Sequence, residues 1–170
     1  MKTKKLIYCA LFGAVISIMS LISIPVQPVP LNMALFAVLL SGGMLGKRYG
    51  ALSVIVYILL GAVGIPVFAG FRGGLAVLAG PTGGYVLGYI AVAFLTGLVC
   101  EKTQKIKYTA PIMVISVMLC YVLGTAWYCY IMKSDVWSAL TLCVLPFVPA
   151  DIIKIVLATL VLYKIKSHWY

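Results

Sequence analysis

Charged residues in this chain are few and bunched, and the stretches between them are apolar over lengths that suit a bilayer crossing. No charge occurs between Lys5 and Lys47. That interval is too long for one crossing of about 20 residues, and Pro25-Val-Gln-Pro-Val-Pro30 interrupts it. Three prolines in six residues predict an extended loop rather than a helix. The pattern therefore predicts helices over about 6–24 and 32–46, then about 50–63 after Lys47-Arg48. Further helices follow over about 84–100 and 110–132. The last is predicted over 149–166, after an interfacial or broken segment at 137–148, because Pro146 and Pro149 interrupt the run. Lys2, Lys4 and Lys5 before an apolar stretch resemble the start of a signal peptide. However, Leu6 to Ile24 is 19 residues, long enough to span, and a small-residue cleavage pattern is missing. The segment reads as the first helix.

Between Gly64 and Gly84 the periodicity fails. Seven of the sixteen glycines lie in these 21 residues. Loops this long are uncommon in compact domains and are usually functional. This one is apolar as well, so it is expected to pack on the bundle, with Ile65, Val67, Phe68 and Leu75 facing inward. Irregular backbone at membrane depth is tolerated where protein covers it or where it lines a cavity.

Composition agrees with that picture: 64% of residues are hydrophobic and 9% charged. Residues 1–170 are expected to form a single all-α integral membrane domain of six transmembrane helices with long ordered external loops. The net charge of +10 would suggest nucleic acid in a soluble protein. Here the basic residues sit at the ends of apolar runs, as beside anionic lipid headgroups, so nucleic-acid binding is not expected. With the N-terminus inside, six crossings put Lys2, Lys4, Lys5, Lys47, Arg48, Lys102, Lys105, Lys107, Lys164 and Lys166 on the cytoplasmic side. Arg72 and Lys133 fall outside, and Lys154 is buried. Ten against two obeys the positive-inside rule, which predicts both termini in the cytoplasm. Five cysteines show no metal spacing, and the one histidine, His168, is nearly terminal, so no metal site is expected.

Asp151 and Lys154 stand out in this setting. They lie three apart in an apolar helix, on one face. Ionisable groups inside a bilayer cost about 2.5–3.5 kcal/mol each and usually face a cavity. The bland reading is an ion pair joining two helices. The sharper one is a ligand site, with an acceptor and a donor side by side. A cyclic urea, with N–H groups flanking a C=O, suits such a pair. Lys164 marks the cytoplasmic end of the last helix, so Asp151 lies about 20 Å above it. That depth is under the loops at 25–32 and 64–84, and describes a pocket open outward. Thr82-Gly83-Gly84 opens the fourth helix, whose free N–H groups favour a carboxylate or other anion. Arg72 is the one external arginine and can bind a carboxylate bidentately; the bland alternatives are a snorkelling interface residue for Arg72 and a plain turn and cap for Gly80-Pro-Thr-Gly-Gly.

Four motifs carry a family resemblance: Pro25-Val-Gln-Pro-Val-Pro30, Leu60-Gly-Ala-Val-Gly-Ile-Pro-Val-Phe-Ala-Gly70, Gly80-Pro-Thr-Gly-Gly-Tyr85 and Pro146-Phe-Val-Pro-Ala-Asp151-Ile-Ile-Lys154. In this order they resemble the biotin-specific substrate-binding (S) component of energy-coupling factor (ECF) vitamin transporters. The resemblance implies a six-helix cell-membrane protein that binds external biotin, the cargo, and needs no cofactor. Partners would be a transmembrane coupling subunit and two cytoplasmic ATPases. Asp151 and Lys154 would take the ureido ring. Arg72 and the turn Gly80, Pro81, Thr82, Gly83 and Gly84 would lie nearer the valerate tail. Phe68, Tyr85 and Trp127 would wall the thiophane ring and alkyl chain, with core or interface packing the equal alternative for Trp127, and Asn32 would add a polar contact. In the first helix, Ala10 and Ala14 match an Ala-x-x-x-Ala pattern that this family uses to dock its coupling subunit; small residues at that spacing let another helix approach closely.

Other classes fit less well. An S component for another vitamin would share the bundle but not this pair and turn. A small intramembrane enzyme would need a nucleophile with a base or a metal cluster, and the three acids and one histidine offer neither. A channel would present rings of charge or carbonyls. No Walker-type motif is present, so ATP hydrolysis would belong to partners.

Overall fold

The computed structural model describes residues 2–25, 29–103 and 106–167. Expectations that fall on Val26, Gln27, Pro28, Lys105 and His168, and on the side chains of Lys2 and Lys166, lie outside the described residues. Helices follow the apolar runs: α1 (Lys2–Leu21), α2 (Ala34–Ala62), α3 (Leu75–Ala79), α4 (Gly83–Lys102), α5 (Ile106–Met132), α6 (Val136–Cys143) and α7 (Val148–Ser167). Two short strands, β1 (Ser23–Ile24) and β2 (Leu31–Asn32), pair antiparallel around the proline segment. The first helix was expected to reach residue 24 but ends at Leu21. Ile24 precedes Pro25, and a residue before proline is pushed out of the helical region.

The helices expected at 32–46 and 50–63 form one run, α2, broken at Gly46, which has φ 80° and ψ 178°. At Gly46 the chain folds back on itself. A Cβ on Gly50 would lie 2.7 Å from the Cα of Gly42, whereas a straight helix would hold residues eight apart about 12 Å from each other. Positive φ favours glycine, and the Glu101 side chain fills the space where a Cβ on Gly46 would project. Glu101 also accepts the Lys47 N–H at 3.1 Å and pairs with the Lys47 ammonium at 3.6 Å. A carboxylate at the start of the second arm of α2 complements the helix dipole.

Contacts along the helices give their directions. Cys9 meets Tyr49, and Ser20 meets Tyr57, so α1 runs parallel to the second arm of α2. Gly42 abuts Ala93 and Gly97 abuts Lys47, so α4 runs with the first arm. Gly84 packs on Trp127 and Gly88 on Cys120, while Tyr121 meets Asp151 and Thr159 meets Met113. Thus α5 runs against both α4 and α7. The β1–β2 hairpin, the 64–82 loop and α6 consequently share one end of the bundle.

Among the described residues, four helical runs, with α2 counted as one across its reversal, are long and apolar enough to cross a membrane, or five if α6 and α7, bent by 53°, form one broken span. Ile18, Ile115, Met118, Val122, Ile152, Val156 and Leu160 are exposed and apolar. Inside, hydroxyls join helices: Ser20 with Tyr57 at 2.9 Å and Thr96 with Ser116 at 3.3 Å. Apolar outside and hydroxyl-bonded within is the organisation of helices packed in lipid. The chain is an all-helical, multi-pass membrane protein.

The long loop is more ordered than its glycine content suggests. The Gly61 carbonyl accepts both Gly64 N–H and Gly74 N–H, closing residues 64–74 into a compact sub-loop. Phe68 and Arg72 exchange backbone bonds of 2.9 and 3.2 Å around a tight turn. Phe68 is driven against Gly61, where any side chain would meet the ring. Of the four residues expected to face inward, Val67 and Phe68 do; Ile65 is 46% and Leu75 68% exposed. Leu75 sits on the short α3, none of whose residues is buried.

Candidate ligand-binding site

Under the loops lie two adjoining chambers. The first is bordered by Leu35, Val117, Cys120, Tyr121, Cys143, Phe147, Asp151 and Lys154, among others. The second is bordered by Tyr57, Phe68, Ala69, Arg72, Val77, Thr82 and Val86, among others. Val29, Pro30, Asn32, Tyr85 and Tyr89 border both, so the two form one elongated cleft. Its free room is small, about 40 and 50 Å³ for the centre of a water-sized molecule.

At the first end Lys154 donates to Asp151 Oδ1 at 2.7 Å, and each residue is 5% exposed. Tyr121 donates its phenol to Asp151 Oδ2 at 2.5 Å. A buried ion pair is costly unless further hydrogen bonds satisfy it; Tyr121 supplies one from a different helix. With one donor on each oxygen, the carboxylate plane is fixed and each oxygen keeps acceptor capacity toward the chamber. The Lys154 ammonium keeps two N–H groups. An acceptor and a donor therefore stand side by side in the chamber wall, an arrangement that would suit the N–H/C=O edge of a cyclic amide or urea.

At the second end Arg72 is exposed and has no carboxylate partner among the described residues. Thr82 and Tyr85 border the cleft, whereas Gly80, Pro81, Gly83 and Gly84 line neither chamber. Two expectations change here. The Gly83 N–H is taken by the Gly80 carbonyl at 3.1 Å, so the start of α4 is partly capped from within. The Trp127 indole is not in the wall of either chamber. It donates to the Gly80 carbonyl at 2.9 Å and packs on Gly84, because only a glycine leaves space for the ring against the helix. Trp127 thus anchors the turn. Phe68 packs edge-on against Tyr57 at 5.5 Å, forming a wall of the second chamber. Asn32 accepts the Ala34 N–H at 3.0 Å at the start of α2, which leaves its amide NH2 as a donor. Tyr85 is held by Thr125 at 3.1 Å.

Reading along the chain does not single out Tyr121, Tyr89, Cys120, Cys143 or Phe147. The one available signal for Tyr121 was indirect: a carboxylate buried in an apolar helix requires more than one partner. On α1, Gly13 turns inward onto Val56, and Ala10 and Ala14 lie on the exposed face.

A profile described as the BioY family matches residues 1–169. A protein named biotin transporter BioY, from Thermotoga maritima, is 42% identical over 167 residues, covering 96% of each chain. A probable biotin transporter BioY from Pyrococcus horikoshii is 38% identical over 168 residues, covering 99% of each. The fold is similar to a 2.1 Å crystal structure of the S-component for biotin from an ECF-type ABC transporter. Its TM-score is 0.90 at 30% identity, covering 98% of this chain and 92% of that one. With the family profile spanning nearly the whole sequence, this chain belongs to the BioY family.

Proposed function

We propose that this protein is the biotin-capturing membrane subunit of an ECF-type uptake transporter in the cell membrane. The carrying observation is the buried Asp151–Lys154 pair, braced by Tyr121 and facing a chamber. The ureido edge would place an N–H on Asp151 and its carbonyl on Lys154. The valerate carboxylate would lie toward Arg72 and Thr82, at the other end of the cleft. Tyr85 and Tyr89, shared by both chambers, would flank the middle of the ligand.

The chain would cross the bilayer six times with both termini in the cytoplasm. Support comes from the reversal at Gly46, which divides α2 into two antiparallel arms, and from the ten-to-two distribution of basic residues. The cleft would then open outward, with the 64–84 loop as its lid. Ala10 and Ala14 on the exposed face of α1 would receive a helix of the coupling subunit, and two ATPases would supply the energy.

The test is mass spectrometry of the detergent-purified protein, followed by calorimetry with biotin and with unrelated vitamins such as riboflavin and thiamine. Co-purifying biotin and saturable one-to-one binding of biotin alone are expected. Binding of another vitamin in its place would overturn the substrate assignment.

A further inference from the structure

Two thiols of the buried core also border the first chamber. Cys120 comes from α5 and Cys143 from α6, and they are 3% and 1% exposed. Two other cysteines lie elsewhere: Cys9 against the Tyr49 carbonyl and Cys100 near Thr109. Cys120 directly precedes Tyr121, the residue that holds the Asp151 carboxylate. Its sulfur is fixed from behind: the thiol donates to the Tyr85 carbonyl at 3.5 Å, and a Cβ on Gly88 would come within 2.8 Å of it. The Cys120 side chain thus stands between the α4 backbone and the cavity.

We infer that Cys120 and Cys143 are specificity-determining residues, a soft thiol wall that reads the sulfur-containing ring of the ligand. The inference rests on the biotin reading above. In biotin the ureido ring is fused to a five-membered thioether ring. If the ureido edge sits on Asp151 and Lys154, the thioether ring must lie in the same chamber. Its surroundings there, beyond the polar pair and Tyr85, Tyr89 and Tyr121, include Leu35, Val117, Phe147 and the two thiols. Thiols are small, polarisable and only weakly polar, so they contact a thioether without demanding a hydrogen bond. A serine would bring a hydroxyl that needs one. A leucine would add a branched side chain to a chamber with little free room.

The experiment uses the native protein and methyl methanethiosulfonate, a small neutral reagent. The cysteine sulfur attacks the sulfenyl sulfur, a mixed disulfide forms, methanesulfinate leaves and the thiol proton passes to solvent. Modification of each cysteine is followed by peptide mass spectrometry with and without saturating biotin. Biotin is expected to slow modification of Cys120 and Cys143 at least tenfold while leaving Cys9 and Cys100 unchanged. Dethiobiotin, which lacks the sulfur ring, is expected to protect less. Cys120→Leu and Cys143→Leu should each weaken biotin binding at least tenfold in protein that remains monodisperse. Cys120→Ala and Cys143→Ala should each narrow the affinity ratio of biotin over dethiobiotin. Equal modification rates with and without biotin, in protein shown by calorimetry to bind it, would overturn this inference alone. So would failure of the reagent to reach either thiol in the empty protein. Absence of biotin binding in untreated protein would overturn the functional reading, and this inference with it.

Discussion

Tyr121 and Asp151, thirty residues apart, meet through a 2.5 Å hydrogen bond from phenol to carboxylate. Because Lys154 occupies the other oxygen at 2.7 Å, the carboxylate cannot rotate without breaking one of two charge-assisted bonds. In the proposed site, a ligand donor would meet an acceptor already oriented, with the ordering cost carried by the fold rather than by binding.

Loss of the charge at Asp151 should be the more damaging change. Removing one partner of a buried charge pair costs about 2–5 kcal/mol, so Asp151→Asn is expected to weaken biotin binding at least tenfold. Tyr121→Phe removes one hydrogen bond to a charged group, worth about 1.5–3 kcal/mol, shared between folding and binding. A lower melting temperature and a smaller loss of affinity are expected. Calorimetry and thermal unfolding of both variants would check this; unchanged affinity in folded Asp151→Asn would make the pair purely structural.

The 64–84 loop is expected to close over the ligand. Gly64 and Gly74 are tied to the Gly61 carbonyl, and Trp127 holds the Gly80 carbonyl, so motion is expected between these anchors. Ligand shifts such an element by its differential affinity for the two states. Ala69 borders the second chamber. In a background without the five native cysteines, Ala69→Cys should be labelled from outside, and more slowly with biotin. Identical rates would make the loop a fixed wall, and labelling only from the cytoplasmic side would reverse the proposed topology.

Ala10→Trp or Ala14→Trp should leave biotin affinity intact and weaken assembly with the coupling subunit. Both positions are exposed, so an indole there blocks close helix approach without entering the core. Co-purification of the variants with partner subunits at undiminished yield would exclude this face as the dock.

At the opposite end of the bundle, Gly46→Ala should lower stability by about 1–3 kcal/mol. The added methyl would sit in a left-handed backbone and press on Glu101, which accepts the Lys47 N–H. Gly97→Ala offers a comparison without positive φ, since its Cβ would strike the Gly46–Lys47 backbone. Thermal unfolding in detergent measures both; a wild-type melting temperature for Gly46→Ala would mean that the reversal tolerates a side chain.

Periodicity and charge placement alone determined much of this molecule. A bilayer excludes unpaired backbone and unneeded charge, so apolar runs and the lysines bounding them mark the helices. The same exclusion makes Asp151 and Lys154 conspicuous, and their spacing of three requires that they share a face. The break near Lys47-Arg48 and the bend before α7 were legible from charge and proline. Tertiary structure decided what depends on residues far apart in sequence. Tyr121 becomes the third member of the polar cluster only because α5 runs against α7. For Trp127, sequence leaves a wall role and a packing role equally open, and the close approach of α4 at Gly84 decides for packing, with the indole on the Gly80 carbonyl. Cys120 and Cys143 looked like small hydrophobes and face the cleft because α5 and α6 converge there. Local sequence sets which face of each helix is apolar; only packing decides which neighbour that face meets.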